Sequence, residues 1–291
     1  MHTDNIDFQH GDSLELMKQI PDGSIDCILT DPPYKYLKHK LDRDWDEDAF
    51  FAEFKRVLKP KGMIAIFGRG TAFYRWNVKL DALGFPFKEE IVWDKRRVSS
   101  SVAYVSRMHE TISISGNGVV RKSHVPYSEV RSIDLTKVSD DLKMIREALR
   151  NEDAFSQIDV LLRHGKDTYP DRMTQKHHIS MQYGLKQRKP AISIAKSVAY
   201  GFVERDIVSM SGVHYKSIHP TEKPVRLLER IMALISDEGD TVLDPFAGSA
   251  STAIAALNTG RKFIGYEIDD EYFALASKRL EEYRQQPQLE M

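Results

Sequence analysis

Cysteine is all but missing from this 291-residue chain: Cys27 stands alone, inside an apolar run at 25–29. A lone thiol excludes an intrachain disulfide, and its apolar surroundings fit a buried, inert side chain. Cysteine and histidine at metal-ligand spacing are lacking too, so the adjacent His177 and His178 read as surface histidines and no zinc site is expected. No stretch approaches the roughly eighteen consecutive apolar residues of a membrane-spanning helix. The opening residues, Met1-His2-Thr3-Asp4-Asn5, lack the basic and then apolar stretch of a secretory signal, which makes a cytoplasmic location the expectation. Net charge is scarce as well, only −1 overall. It is unevenly spread: residues 117–217 hold 17 Lys/Arg against 12 Asp/Glu, and the remainder 25 against 31. A polyanion is therefore expected to bind through the middle third.

What is present is an alternation of buried-type strands and amphipathic helices. The length accommodates one large α/β domain with an insertion, or two modest domains. Residues 6–10 read as a strand ending in Gly11-Asp12, and residues 13–20 as a helix capped by Asp12 or Ser13. After the turn Pro21-Asp22-Gly23, residues 25–30 read as a mainly apolar strand, interrupted by Asp26, of the kind buried on both faces in a parallel sheet. Phe50, Phe51, Phe54, Val57 and Leu58 recur at helical spacing within 46–58. Residues 59–62 read as the stop, 63–67 as a strand, 72–83 as a helix, and 89–93 and 111–115 as two further strands. Regularity lapses over 119–213, apart from helical patterns at 140–150 and 153–163 and a polar tract at 165–190. Tyr169, Tyr183 and Tyr200 interleave there with basic residues, which fits nucleic-acid contact and a generic insertion alike. Alternation returns with a stiff loop at 219–224, a helix at 225–235, a strand at 240–243, a helix at 252–258 and a strand at 262–266.

Two places carry chemistry. Thr30-Asp31-Pro32-Pro33-Tyr34 lies at the carboxyl end of a strand, the edge where open α/β sheets bind ligands. An amine on an aromatic ring is a poor nucleophile because its lone pair is delocalised. The Asp31 carboxylate and the Pro32 carbonyl, which Pro33 keeps from helical geometry, can each accept an amine hydrogen and localise that pair. Tyr34 offers a face on which a base stacks. Alone, the motif also reads as a strand ending in a proline turn. The second place is Asp244-Pro245-Phe246-Ala247-Gly248-Ser249-Ala250-Ser251, a small-residue turn between strand and helix that lets a ligand meet the backbone and the helix amino end. No Gly-Lys-Ser/Thr follows, so it is not a phosphate loop. Glu267, 19 residues after Gly248, stands at the next strand's tip, where an acid commonly binds ribose hydroxyls. Together they describe a nucleoside site without a phosphate grip, and S-adenosylmethionine fits it. Basic loops at 35–44, with Lys35, Lys38, Lys40 and Arg43, and at 94–101 belong near the pocket rim.

With these segments in this order, the chain resembles the β-class amino-group DNA methyltransferases over roughly residues 4–116 and 214–284. Asp31-Pro32-Pro33-Tyr34 matches that family's catalytic motif. Asp244, Pro245, Phe246, Ala247, Gly248 and Ser249 match its cofactor loop, Glu267 with Ile268 its ribose-binding acid, and Asp12 its adenine position. His219, Thr221 and Lys223 match the segment that binds the methionine end, while 58–62 and Arg107-Met108-His109-Glu110 resemble framework segments. The resemblance implies a circularly permuted Rossmann-like methyltransferase fold with a mostly parallel seven-stranded sheet. Residues 1–116 and 214–291 would form the catalytic domain, and 117–213 an inserted target-recognition region. It also requires residues 6–10 to pair with 262–267, bringing both chain ends into one sheet. The implied activity is methylation of adenine N6 in duplex DNA by base flipping, with S-adenosylmethionine as cofactor. Cytosine N4, a silent DNA-binding homologue, and an RNA or protein-amide methyltransferase are the alternatives. Double-stranded DNA is the implied partner, and a homodimer and a separate cognate restriction endonuclease are compatible with the family. One departure stands out: the loop usually reads Phe-x-Gly-x-Gly, and the second glycine is Ala250 here, whose methyl group is expected to fit the helix–strand packing.

Overall fold

The computed structural model describes residues 2–3, 5–34, 44–96, 105–131, 134–149, 190–213 and 217–285. The basic loop at 35–43, most of 94–101, the expected helix at 153–163, and the 165–189 tract with Tyr169, His177, His178 and Tyr183 lie outside the described residues. The chain divides into two compact units, residues 1–122 with 205–291, and residues 123–204.

The first unit is built on a sheet ordered β1-β2-β11-β10-β3-β4-β6-β5-β9. Its strands are β1 (His2–Thr3), β2 (Ile6–His10), β3 (Ile25–Thr30), β4 (Leu58–Gly68), β5 (Phe87–Asp94), β6 (His109–Gly116), β9 (Ile207–Ser209), β10 (Thr241–Asp244) and β11 (Lys262–Glu267). From β2 to β4 all neighbours are parallel; β6 runs antiparallel to both β4 and β5. Among the described residues the sheet has nine strands rather than the expected seven, the two short edge strands β1 and β9 making the difference. In β9 only Val208 is buried, too brief a pattern for strand periodicity to register. The segment holding β9 was read as part of the 117–213 insertion; the compact second unit is narrower than that span.

Helices cover both faces. On one face α1 (Ser13–Met17), α2 (Glu47–Val57) and α3 (Gly70–Ala82) bury Met17, Phe51, Phe54, Trp76 and Leu80 against Ile28, Ile64 and Ile66. On the other, α7 (Val225–Ile235), α8 (Ser251–Asn258) and α9 (Asp270–Gln285) bury Leu228, Ile231, Ala253, Ala256 and Leu280 against Cys27, Leu29 and Val242. From Cys27 to Leu29 the side chains of β3 thus go alternately into two cores, which is why apolar residues follow one another there. Burial pushes the Cys27 thiol up to about 12, so it stays protonated and unreactive.

Several boundaries differ from the sequence reading, the helix expected at 140–150 for one running over Leu135–Leu149, and two of them have a visible cause. α1 ends at Met17 rather than at residue 20, because Arg56 of α2 takes the carbonyls of Met17 and Ile20 at 2.8 Å each and closes the helix there. Residues 59–62, read as a stop, belong to β4: helix passes straight into strand, and the register shift between Ile25↔Leu58 and Cys27↔Met63 absorbs them.

The second unit holds the strand pair β7 (His124–Val125) and β8 (Phe202–Val203) with helices α4 (Tyr127–Arg131), α5 (Leu135–Leu149) and α6 (Pro190–Tyr200). The Tyr127 and Phe202 rings stack at 5.7 Å. The buried Asp141 accepts from the Tyr127 hydroxyl at 2.8 Å and from Arg131 Nε at 3.0 Å.

Pairing of β2 with β11 in the register Ile6↔Phe263 to His10↔Glu267 makes residues from the two ends of the sequence neighbours in one sheet, as the order of the motifs requires. Phe8, wholly buried, packs its ring 4.9 Å from Phe273. Phe8→Ala is therefore expected to cost about 3–5 kcal/mol in urea denaturation; a cost below about 1 kcal/mol would mean that β2 is dispensable to the core.

Candidate active site

The cavity arises where the sheet changes direction. β10 lies between β11 and β3, and the chain proceeds from β10 to β11 on one side and from β3 to β4 on the other, so loops at the carboxyl ends of β3 and β10 diverge and leave a crevice. All sixteen residues singled out from the sequence line this one cavity of about 350 Å³: Asp31 to Tyr34 at the end of β3, Asp244 to Ser249 after β10, Glu267 and Ile268 at the tip of β11, Asp12 after β2, and His219, Thr221 and Lys223 on the 217–224 loop.

Each is held by identifiable contacts. Asp12 caps α1, its carboxylate accepting from Leu14 N at 2.9 Å and Glu15 N at 3.3 Å. The Gly11 amide donates to the Glu267 carbonyl at 3.0 Å, which sets the ends of β2 and β11 side by side. Glu267 accepts from Gly248 N at 3.0 Å and Asp269 N at 2.8 Å, so two backbone donors orient its carboxylate. Gly248 has φ +49°, the left-handed region that glycine enters without steric cost. Asp244 is buried and accepts from Thr30 Oγ1 at 2.8 Å, Thr252 Oγ1 at 2.6 Å and Phe246 N at 3.1 Å. The Trp45 indole donates to the Pro33 carbonyl at 3.0 Å, pinning the proline turn. Asp31 accepts from the Tyr34 hydroxyl and from Lys223 Nζ. Lys223, matched to the cofactor-binding segment in sequence, thus touches the Asp31 carboxylate.

Some of the site was not visible in sequence. Arg279 of α9 donates to the Ser249 carbonyl at 2.9 Å and pairs with Glu222 at 2.9 Å, tying the 244–251 turn to the 217–224 loop. In the sequence Glu222 falls within the stiff loop at 219–224 without further mark, and nothing in α9 marks Arg279. Glu110, noted as framework, stands 3.4 Å from Lys223.

The lining chemistry identifies what the cavity accepts. Among the described residues eight carboxylates, those of Asp12, Asp31, Asp44, Asp46, Glu110, Glu222, Asp244 and Glu267, line it, with Lys223 the one lysine or arginine. Such a wall repels phosphate and favours a cationic ligand with hydroxyl donors, while Pro245, Phe246, Trp45 and Phe50 supply apolar area for a flat ring. A nucleoside carrying a sulfonium and an ammonium group meets these demands. Among the described residues there is no group of three side chains suited to a metal ion, and no helix is long and apolar enough to cross a membrane.

Ala250 has φ +56° and ψ +26° at the amino end of α8, so the missing glycine has a backbone cost that the sequence did not reveal: the methyl group fits the packing but sits on a left-handed residue. Ala250→Gly is expected to stabilise the protein by about 0.5–1 kcal/mol, the relief of strain exceeding the added freedom of the unfolded chain; a loss of stability in chemical denaturation would contradict this.

Burial raises Asp244 from the ordinary carboxylate range to about 6, against the lowering effect of its hydroxyl and amide donors. A carboxyl whose folded value is raised favours the fold while protonated, and that contribution is lost as pH climbs from about 4 to about 6. The stability difference between wild type and Asp244→Asn is expected to shift by about 3 kcal/mol against the wild type between about pH 4 and pH 7. A pH-independent difference in thermal denaturation would refute the assignment.

The chain matches the DNA methylase family over residues 25–278. It is 31% identical over 281 residues to the DNA adenine methyltransferase YhdJ of Escherichia coli (strain K12), covering 94% of this chain and 81% of the relative. It is 27% identical over 295 residues to the type II methyltransferase M2.DpnII of Streptococcus pneumoniae, covering 94% and 88%. Among solved structures, the M1.HpyAVI–SAM complex aligns with a TM-score of 0.56 at 21% identity, covering 94% of this chain and 99% of that one. The cytosine-N4-specific PvuII DNA methyltransferase aligns with a TM-score of 0.58 at 17% identity, covering 98% and 88%. A match that runs from β3 into α9, and so takes in both Asp31-Pro32-Pro33-Tyr34 and the 244–251 turn that line the cavity, places this chain in the N6/N4 amino-group DNA methylase family.

Proposed function

We propose that this protein transfers a methyl group from S-adenosylmethionine to the exocyclic N6 of adenine at specific sites in duplex DNA. The observation that carries the reading is the shared cavity: Asp31 and Pro32 on one strand end, Asp244 to Ser249 and Glu267 on its neighbours. In this reading the fold is circularly permuted, with β10 and β11 corresponding to the first two strands of the unpermuted arrangement and β2 to the third, and residues 117–213 serve target recognition.

The donor fits the acid-rich wall. Asp12 and Glu267 would hold the adenosine through its amine and ribose hydroxyls, the 244–249 turn its backbone-facing side, and His219 and Thr221 its amino-acid end. When bound, S-adenosylmethionine supplies a methyl group on a cationic sulfur that keeps the electron pair of the broken carbon–sulfur bond. The target nucleotide leaves the duplex at a cost of a few kcal/mol and stacks on Tyr34. Asp31 and the Pro32 carbonyl each accept one amine hydrogen, which localises the nitrogen lone pair for attack and stabilises the positive charge growing on nitrogen. The surplus amine proton leaves through Asp31. No covalent enzyme intermediate is required, consistent with Cys27 being sealed in β3.

Adenine is preferred because the motif begins with Asp, and because a relative at 31% identity is named an adenine methyltransferase. Incubation with S-adenosylmethionine and unmethylated genomic DNA, followed by single-molecule sequencing, is expected to report N6-methyladenine in one sequence context; N4-methylcytosine instead would reassign the base. Asp31→Ala is expected to lower transfer about a hundred-fold or more while calorimetry still detects cofactor binding. Activity retained in this variant would sink the mechanism.

A further inference from the structure

Asp31 shares its end of the cavity with a buried charge cluster drawn from three other segments. Lys223, whose side chain is only 8% exposed, donates to Asp31 Oδ2 and to the Thr221 carbonyl at 3.2 Å, and its Nζ stands 3.4 Å from Glu110 Oε2 on β6. The same ammonium lies 5.1 Å from the centre of the Phe67 ring, a cation–π distance. Behind Glu110, Lys95 pairs with its other oxygen at 3.1 Å. Two carboxylates and two ammonium groups therefore balance, and each is costly to bury without its partners.

We propose that Lys223 is a positioning residue for Asp31: clamped between Asp31 and Glu110, it holds the acceptor carboxylate in place and ionised, while Glu110, drawing on the same ammonium, leaves that carboxylate basic enough to take an amine proton. The inference rests on the reading of Asp31 as the amine acceptor. The groups facing Asp31 are Tyr34 from its own loop, Lys223 from the 217–224 loop, Glu110 from β6 with Lys95 behind it, and Asp244 from the end of β10. Burial pushes Asp31 up, Lys223 pulls it down and Glu110 pushes it up again, with the balance above the ordinary carboxylate range. At Glu110 burial also opposes ionisation, but Lys223 and Lys95 outweigh it and hold that group below its usual value. Removing one member of the pair therefore displaces Asp31 in one direction, and removing the other displaces it in the opposite direction. A residue that merely supported the fold would give no such signature.

The test is the pH dependence of single-turnover methyl transfer to duplex DNA at saturating S-adenosylmethionine, for wild type, Lys223→Met, Lys223→Arg and Glu110→Gln. Lys223→Met is expected to raise the acid limb by about one pH unit or more, with about a ten-fold loss near pH 6 that narrows toward pH 9. Glu110→Gln is expected to lower the same limb, and Lys223→Arg to keep it near that of wild type. Limbs that stay fixed, or that move together, would overturn the proposal. A second measurement needs neither DNA nor cofactor: the ¹³C NMR titration of the Asp31 carboxyl, assigned by its loss in Asp31→Asn, is expected to show the same opposed displacements. If wild type transfers no methyl group, the proposed function falls while this titration still decides the role of Lys223. Should Lys223→Met not fold, Glu110→Gln decides alone, and an Asp31 titration that stays or rises overturns the proposal.

Discussion

Everything at the site depends on β10 lying against β3. The two strands are more than two hundred positions apart in sequence, yet Val242 pairs with Cys27 and Leu243 with Ile28. Side chains lock the pair at both ends: Thr241 N donates to Asp26 Oδ2 at 3.0 Å at the start, and Thr30 Oγ1 donates to Asp244 Oδ1 at 2.8 Å at the finish. The second bond lies under the cavity floor. By joining the last residue of one strand to the last residue of the other, it sets the Asp31-Pro32-Pro33-Tyr34 segment and the 244–251 turn on adjacent strand ends, so that both line one cavity. The cost is a buried carboxyl, and three donors offset it only in part, as its raised ionisation value records.

The rest of the fold was legible in the sequence to the extent that its signals are local. Strand β3 announced itself through the apolar run Cys27-Ile28-Leu29, α2 through phenylalanines at three and four, and α7 through a leucine and isoleucine face, because apolar pattern reports which sides of an element meet the core. The cofactor-type turn and its acid could be read because the spacing between Gly248 and Glu267 reflects one helix and one strand of fixed length. Contacts that join distant segments left no such trace. Arg279 belongs to a helix whose sequence looks merely solvated, yet it reaches the Ser249 carbonyl and Glu222. Arg56 ends α1 from thirty-nine positions away. Ala250 reads as a harmless small residue, and only its backbone dihedrals disclose why glycine is the residue expected there.

The acid-rich cavity raises a question about its substrate that the charge distribution itself answers. DNA is a polyanion, and a wall with eight carboxylates repels its phosphates at short range, so the backbone cannot follow the base inside. A neutral base can enter, and the cavity's field favours a cationic methyl donor and the positive charge that develops on an attacking amine. The same field would weaken binding of the duplex unless countercharge were provided elsewhere, and the sequence concentrates its basic surplus in residues 117–217. On the proposed reading the near-zero net charge of the whole chain is thus a sum of two opposed requirements: an acidic site selective for donor and base, and a basic segment for the backbone. Adding salt would screen the second requirement more than the first, because attraction to a duplex backbone acts through solvent, whereas Glu222, Asp244 and Glu267 of the cavity are buried. Salt dependence is then expected to appear in the affinity for DNA and far less in the affinity for S-adenosylmethionine.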